Sequence, residues 1–128
     1  MKKALFFVAL LFIAGCGTSV NPVNGELGEN INITNGSTVV IAGEPLHIRF
    51  DGIMEDSRCP EGLQCYWAGN AKAKLTVNKT ECYLNTFLNP QEININGFKI
   101  KLASVTPYPK SDQIINPGDY KITIQVGK

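Results

Sequence analysis

From residue 46 onward, apolar and polar positions alternate with a period of two. Leu46, Ile48 and Phe50 alternate with His47, Arg49 and Asp51, and Phe98, Ile100 and Leu102 alternate with Lys99 and Lys101. Near the end, Tyr120, Ile122, Ile124 and Val126 alternate with Lys121, Thr123 and Gln125. Successive strand side chains point to opposite faces, so these runs predict strands with one buried and one wet face. No stretch after Cys16 keeps a 3.6-residue apolar repeat. The turn signals agree. Asn35-Gly36 leads into the β-branched run Thr38 to Ile41, and Asn96-Gly97 predicts a two-residue hairpin that sets Ile95 opposite Phe98 and Ile93 opposite Ile100. Asn116-Pro117-Gly118-Asp119 predicts a type II turn with Gly118 at positive φ.

A longer register places Cys65, Trp67, Gly69, Ala71, Ala73, Leu75 and Val77 at every second position. As one strand it would reach about 43 Å, longer than most, so a bend or bulge is expected at Gly69. About seven short strands then predict an all-β fold, a small antiparallel β-sandwich or partly open barrel. The spacing is not that of an immunoglobulin domain, because Trp67 follows both nearby cysteines.

The amino terminus follows a different rule. Lys2 and Lys3 precede Ala4 to Ala14, eleven residues without a polar side chain. A bilayer-spanning helix needs about 20 apolar residues, so the segment has the length of a signal-peptide core. Ile13-Ala14-Gly15-Cys16 resembles the lipobox of bacterial lipoproteins. That resemblance implies a diacylglyceryl thioether on Cys16 and cleavage before it, leaving a chain held to the membrane by its lipid. The expected organisation is a signal peptide over 1–15, a lipidated cysteine and flexible tether over 16–36 with a first edge strand at Ile31 to Thr34, and a β domain over 37–128. No aspartate follows Cys16, which by analogy favours an outer membrane with the domain facing the periplasm.

Composition narrows the function classes. The chain has 128 residues, a formal net charge of +1 and one histidine. That is one domain at most, with no basic stretch dense enough for nucleic acid and little room for a histidine-rich metal site. Three cysteines remain beyond Cys16. Cys59 and Cys65 enclose turn-forming residues, and closing that seven-residue loop would contribute roughly 2.4 kcal/mol by chain entropy. Cys59–Cys65 is the expected disulfide; Cys59–Cys82 and Cys65–Cys82 are the alternatives.

Glu55-Asp56-Ser57-Arg58-Cys59-Pro60, followed by Cys65-Tyr66-Trp67-Ala68-Gly69, resembles a motif of uncharacterised bacterial envelope proteins, many of them predicted lipoproteins. The resemblance implies an envelope location and a strand-built domain, and brings no activity. Cys82 lies outside the shared pattern, which leaves it as a buried free thiol.

Asp56, Ser57, Arg58 and Trp67 are the candidate binding or loop-pinning residues. Asp56 and Ser57 can accept hydrogen bonds from loop amides, and Arg58 can pair with Glu55, Asp56 or Asp119. Trp67 is expected to cover the disulfide while its N–H finds a local acceptor. Asp51, Glu55, Asp56 and Glu61 could offer oxygen ligands to calcium, but their spacing matches no EF-hand, and no metal or cofactor is expected. The expected function is therefore a non-enzymatic, membrane-anchored binding or structural domain, with an envelope protein or small ligand as partner and no nucleic acid. One alternative is a protease inhibitor presenting the disulfide-held Arg58-Cys59-Pro60 loop. Another is an enzyme using a His47–Cys82 pair, for which no local signature exists. Tyr108, between Pro107 and Pro109, sits on an exposed loop suited to contact.

Overall fold

A computed structural model describes residue 15 and residues 22–128. Residues 1–14 of the expected signal peptide and the lipidation site Cys16 lie outside the described residues. The nine strands are β1 (Val23–Gly25), β2 (Asn30–Thr34), β3 (Thr38–Ile41), β4 (His47–Asp56), β5 (Ala71–Val77), β6 (Thr80–Asn85), β7 (Glu92–Ile95), β8 (Phe98–Thr106) and β9 (Lys121–Gly127). They form two sheets, ordered β1-β3-β4-β5-β6 and β2-β9-β8-β7, and no barrel closes. The fold is all-β, as the alternation predicts. All pairings within the sheets are antiparallel except β1 with β3.

The buried alternate residues of both sheets meet as one core. Ile48, Phe50, Ala73, Leu75 and Val77 line the five-stranded side, and Ile100, Leu102, Ile122, Ile124 and Val126 the other. Apolar burial of this kind supplies the main driving force for folding, about 25 cal/mol per Å². The Asn96-Gly97 hairpin forms as expected: Ile95 pairs with Phe98, Ile93 with Ile100, and both turn residues have positive φ.

Three expectations need correction. The edge strand expected at Ile31 to Thr34 forms as β2, but the stretch expected to be a tether through residue 36 also contains β1, and Ile31 and Ile33 are buried in the core. Asn24, Asn30 and Asn32 are exposed, Gly28 and Gly36 sit in turns, and Gly25 is buried without a side chain to show it, which makes the segment look unstructured. Strand β6 is also additional; its burial does not alternate, and it joins β5 through a tight turn at Asn78 and Lys79, both at positive φ. Finally, Pro117–Asp119 forms a 3-10 turn closed by Asp119 N–H on the Asn116 carbonyl, and Gly118 does not adopt positive φ.

The sandwich has two unlike ends. At one, tight turns join β3 to β4, β5 to β6 and β7 to β8. At the other, loops 57–70, 86–91 and 107–120 leave β4, β6 and β8.

Candidate functional site

The long register ends where the chain meets its own backbone. Residues 65–70 do not extend β5 but fold back over residues 57–59. A Cβ on Gly69 would lie 2.3 Å from Arg58 Cα and 2.6 Å from the Ser57 carbonyl oxygen, so only glycine permits this approach. Ser57 and Asn70 lock the crossing. Ser57 N–H donates to the Asn70 carbonyl at 2.7 Å, and Asn70 N–H donates to Ser57 Oγ at 3.1 Å. Cys59 and Cys65 close the tip as the expected disulfide, Cα to Cα 5.9 Å.

Arg58 turns inward from this crossing and is only 7% exposed. Its Nε and Nη2 each donate to an Asp56 carboxylate oxygen at 2.8 Å, a two-pronged pairing. Nη1 donates to the Val105 carbonyl at 2.6 Å and Nη2 to that of Pro107 at 3.0 Å. Tyr120 Oη donates to Asp56 at 2.8 Å, and the Tyr108 ring lies 5.1 Å from the guanidinium carbon. The charge is thus spent on holding loop 57–70 to the start and end of loop 107–120. Backbone contact continues further out, where Glu61 N–H donates to the Pro109 carbonyl at 2.9 Å.

Buried charge shapes the titrations. Burial pushes the Asp56 carboxyl up, but hydrogen bonds from Arg58 and Tyr120, with the guanidinium charge, outweigh it and hold the carboxyl below its ordinary value. Tyr120 is pushed up to about 12, first by burial and then by its bond to the Asp56 carboxylate.

Asn70 ties in loop 86–91. Its side chain is buried; Oδ1 accepts from Phe87 N–H and Leu88 N–H, both at 3.0 Å, and Nδ2 donates to Asn85 Oδ1 at 3.0 Å. Ala71 N–H donates to Thr86 Oγ1 beside it. Three loops are therefore fastened through three buried polar side chains, Arg58, Asn70 and Asn85, whose Nδ2 donates to the Pro90 carbonyl at 3.2 Å.

The outside of this end carries most of the exposed large apolar side chains among the described residues. Leu63, Tyr66 and Trp67 on the first loop are exposed, as are Phe87 and Leu88 on the second. Tyr108 and Ile114 on the third are exposed too. Only three other large apolar side chains are exposed among the described residues, Val23, Met54 and Tyr83. Scattered apolar exposure is ordinary, but gathering on one set of fastened loops marks a contact surface.

Of the residues singled out from sequence, the structure brings Asp56, Ser57, Arg58 and Trp67 together. Asp56 is the Arg58 partner, chosen over Glu55 and Asp119. Trp67 Nε1–H donates to the Ser57 carbonyl at 3.0 Å, the local acceptor expected of it, yet the ring is 57% exposed and does not pack into the core. The inhibitor reading requires Arg58 at the surface, and its guanidinium is buried instead. His47 and Cys82 stand on β4 and β6 with β5 between them and three residues out of level, which sets their backbones about 14 Å apart. Cys82 is half-buried and free, and its thiol is pushed up to about 11 by burial and then by the nearby Asp51 charge. Asp51 itself is bound to Arg49 and Thr76, so the acidic residues do not converge. Among the described residues, no three His, Cys, Asp or Glu side chains gather as metal ligands.

Sequence reasoning missed Asn70 and Tyr120. Asn70 occupies a position that the alternation assigned to the wet face, and Tyr120 reads as one more apolar member of β9's run. The only signal for Asn70 was its place directly after Gly69. No protein-family model, curated protein or solved structure matches the chain, so the family resemblance of the cysteine segment stays an expectation.

Proposed function

We propose that this chain is a lipid-anchored protein of the bacterial cell envelope, held through Cys16, whose β-sandwich is a non-enzymatic contact module working through its three-loop end. The observation that carries this reading is the division of labour at that end. Arg58 and Asn70 spend their polar groups inward, on other loops, while the aromatic and aliphatic side chains outside remain unpaired with the core. Catalytic groups are built the other way round, with polar groups aimed into a cleft where a substrate can reach them. Rigid, preorganised apolar loops lose little entropy when they meet a partner. The lipobox supports attachment, and the absence of an aspartate after Cys16 favours the outer membrane, facing the periplasm.

Intact mass of the chain expressed in a bacterial host tests the anchor. The expected product begins at Cys16 and carries diacylglycerol, and Cys16→Ser abolishes that mass and releases the protein from washed membranes. An unmodified chain in the soluble fraction overturns the anchor.

A further inference from the structure

We infer that the three-loop end docks on the phospholipid interface itself, so that the bilayer carrying the anchor is also the surface the module contacts. This rests on the lipid-anchor reading above. Strand β1 is parallel to β3, and β3 runs from the level of Arg49 toward that of His47, away from the loop end. The chain therefore enters β1 from the loop side. Val23 lies level with Val39 and Ile48, and Asp56 lies about 20 Å further along β4, because two bulges set its eight residues against only six of β5. The seven steps from Cys16 to Val23 span at most about 25 Å. A lipid on Cys16 thus reaches the level of Asp56 and passes it by only about 5 Å, and the sandwich is held within its own length of the membrane.

The chemistry of that end suits the interface. Tyr66, Trp67 and Tyr108 are amphipathic rings of the kind that settle among headgroups, and Phe87, Leu88 and Ile114 supply apolar depth. The exposed charges on the loops are Lys110 against Glu61, Asp112 and Asp119, so attraction to anionic headgroups is not what would hold them. Docking by this end is accordingly insensitive to salt.

Trp67 is the only tryptophan, which makes it a reporter at the site. The lipidated chain, its mass verified, is reconstituted into vesicles of phosphatidylethanolamine and phosphatidylcholine brominated near the headgroup end of its acyl chains. Trp67 emission is expected to shift blue and be quenched about twofold or more, unchanged by salt. A Trp67→Phe/His47→Trp chain, with its reporter at the turn end, is expected to show neither. Tyr66→Ser with Ile114→Ser should lower the quenching without lowering thermal stability, because both side chains lie outside the core. Equal quenching of both reporters, or none of Trp67 on a chain whose lipid is verified, overturns docking and leaves the anchor standing. A Trp67 shift that appears only when envelope proteins are added also overturns it, in favour of a protein partner. A chain without lipid on Cys16 overturns the anchor instead.

Discussion

Two asparagines flank β5, one at each end of the sandwich, and the same side chain is put to unequal use. Asn70 is buried and is the meeting point of loops 57–70 and 86–91. Asn78 is only partly covered. Its Oδ1 accepts from His47 N–H at 2.8 Å and its Nδ2 donates to the Pro45 carbonyl at 3.0 Å, pinning one tight turn beside another. Water can replace Asn78 if it is lost, whereas the buried Asn85 side chain would lose its Asn70 partner away from solvent. The hydrogen bonds look alike, and burial sets what each one is worth. The turn end is held by local backbone geometry, the loop end by a few irreplaceable polar groups.

That contrast can be broken most forcefully at Arg58. Arg58→Ala leaves Asp56 buried without its cation and two carbonyls without donors, and is expected to cost about 3–5 kcal/mol in urea unfolding. Arg49→Ala, an ion pair whose arginine is half exposed, should cost under about 1 kcal/mol. Equal losses would mean that the loop end is no more dependent on its buried groups than the turn end. Next in size, Asn70→Ala is expected to remove about 2–3 kcal/mol. Asn78→Gly should stay within about 1 kcal/mol, since glycine keeps the φ of 52° without strain.

Replacing Cys59 and Cys65 together by serine should lower stability by about 2 kcal/mol, seen as a matching drop in the unfolding midpoint. The smallest change separates the ends by pH. Tyr120→Phe removes one bond to the Asp56 carboxylate, about 1.5 kcal/mol at neutral pH. Tyrosine ordinarily loses its proton near 10.0, and Tyr120 keeps its own to about 12 in the folded state. Between those values the unfolded chain has released a proton that the folded chain retains, so stability falls as pH rises through the window. The phenylalanine variant should lack that share of the decline, and identical alkaline curves would remove Tyr120 from the buried cluster.

Much of the fold is legible because burial imposes alternation on each strand. Ile93, Ile95, Phe98 and Ile100 state their own pairing through the Asn-Gly turn between them. Strand β1 is different: three residues carry no period, and the strand exists through parallel pairing with β3. Strand β6 is an edge in which Leu84 is the one buried apolar residue and buried Asn85 follows it directly, so alternation is absent there. The site was half legible. Asp56 and Arg58 lie two residues apart, and their pairing was among the expectations. The Val105 and Pro107 carbonyls and the Tyr120 hydroxyl come from 47 to 64 residues away and follow only from the stacking of the sheets. Trp67 was expected to pack because tryptophan beside a disulfide is large enough to cover it. The fold-back over Gly69 holds its ring outside.

The contact at Gly69 also fixes the smallest portable piece of this surface. Grafting residues 57–65 onto another scaffold would transfer the sulfur bridge but not the strand against which it is clasped. A transplant has to carry the chain through Asn70, with position 69 bare of any side chain, and its host must supply carbonyls where Arg58 points.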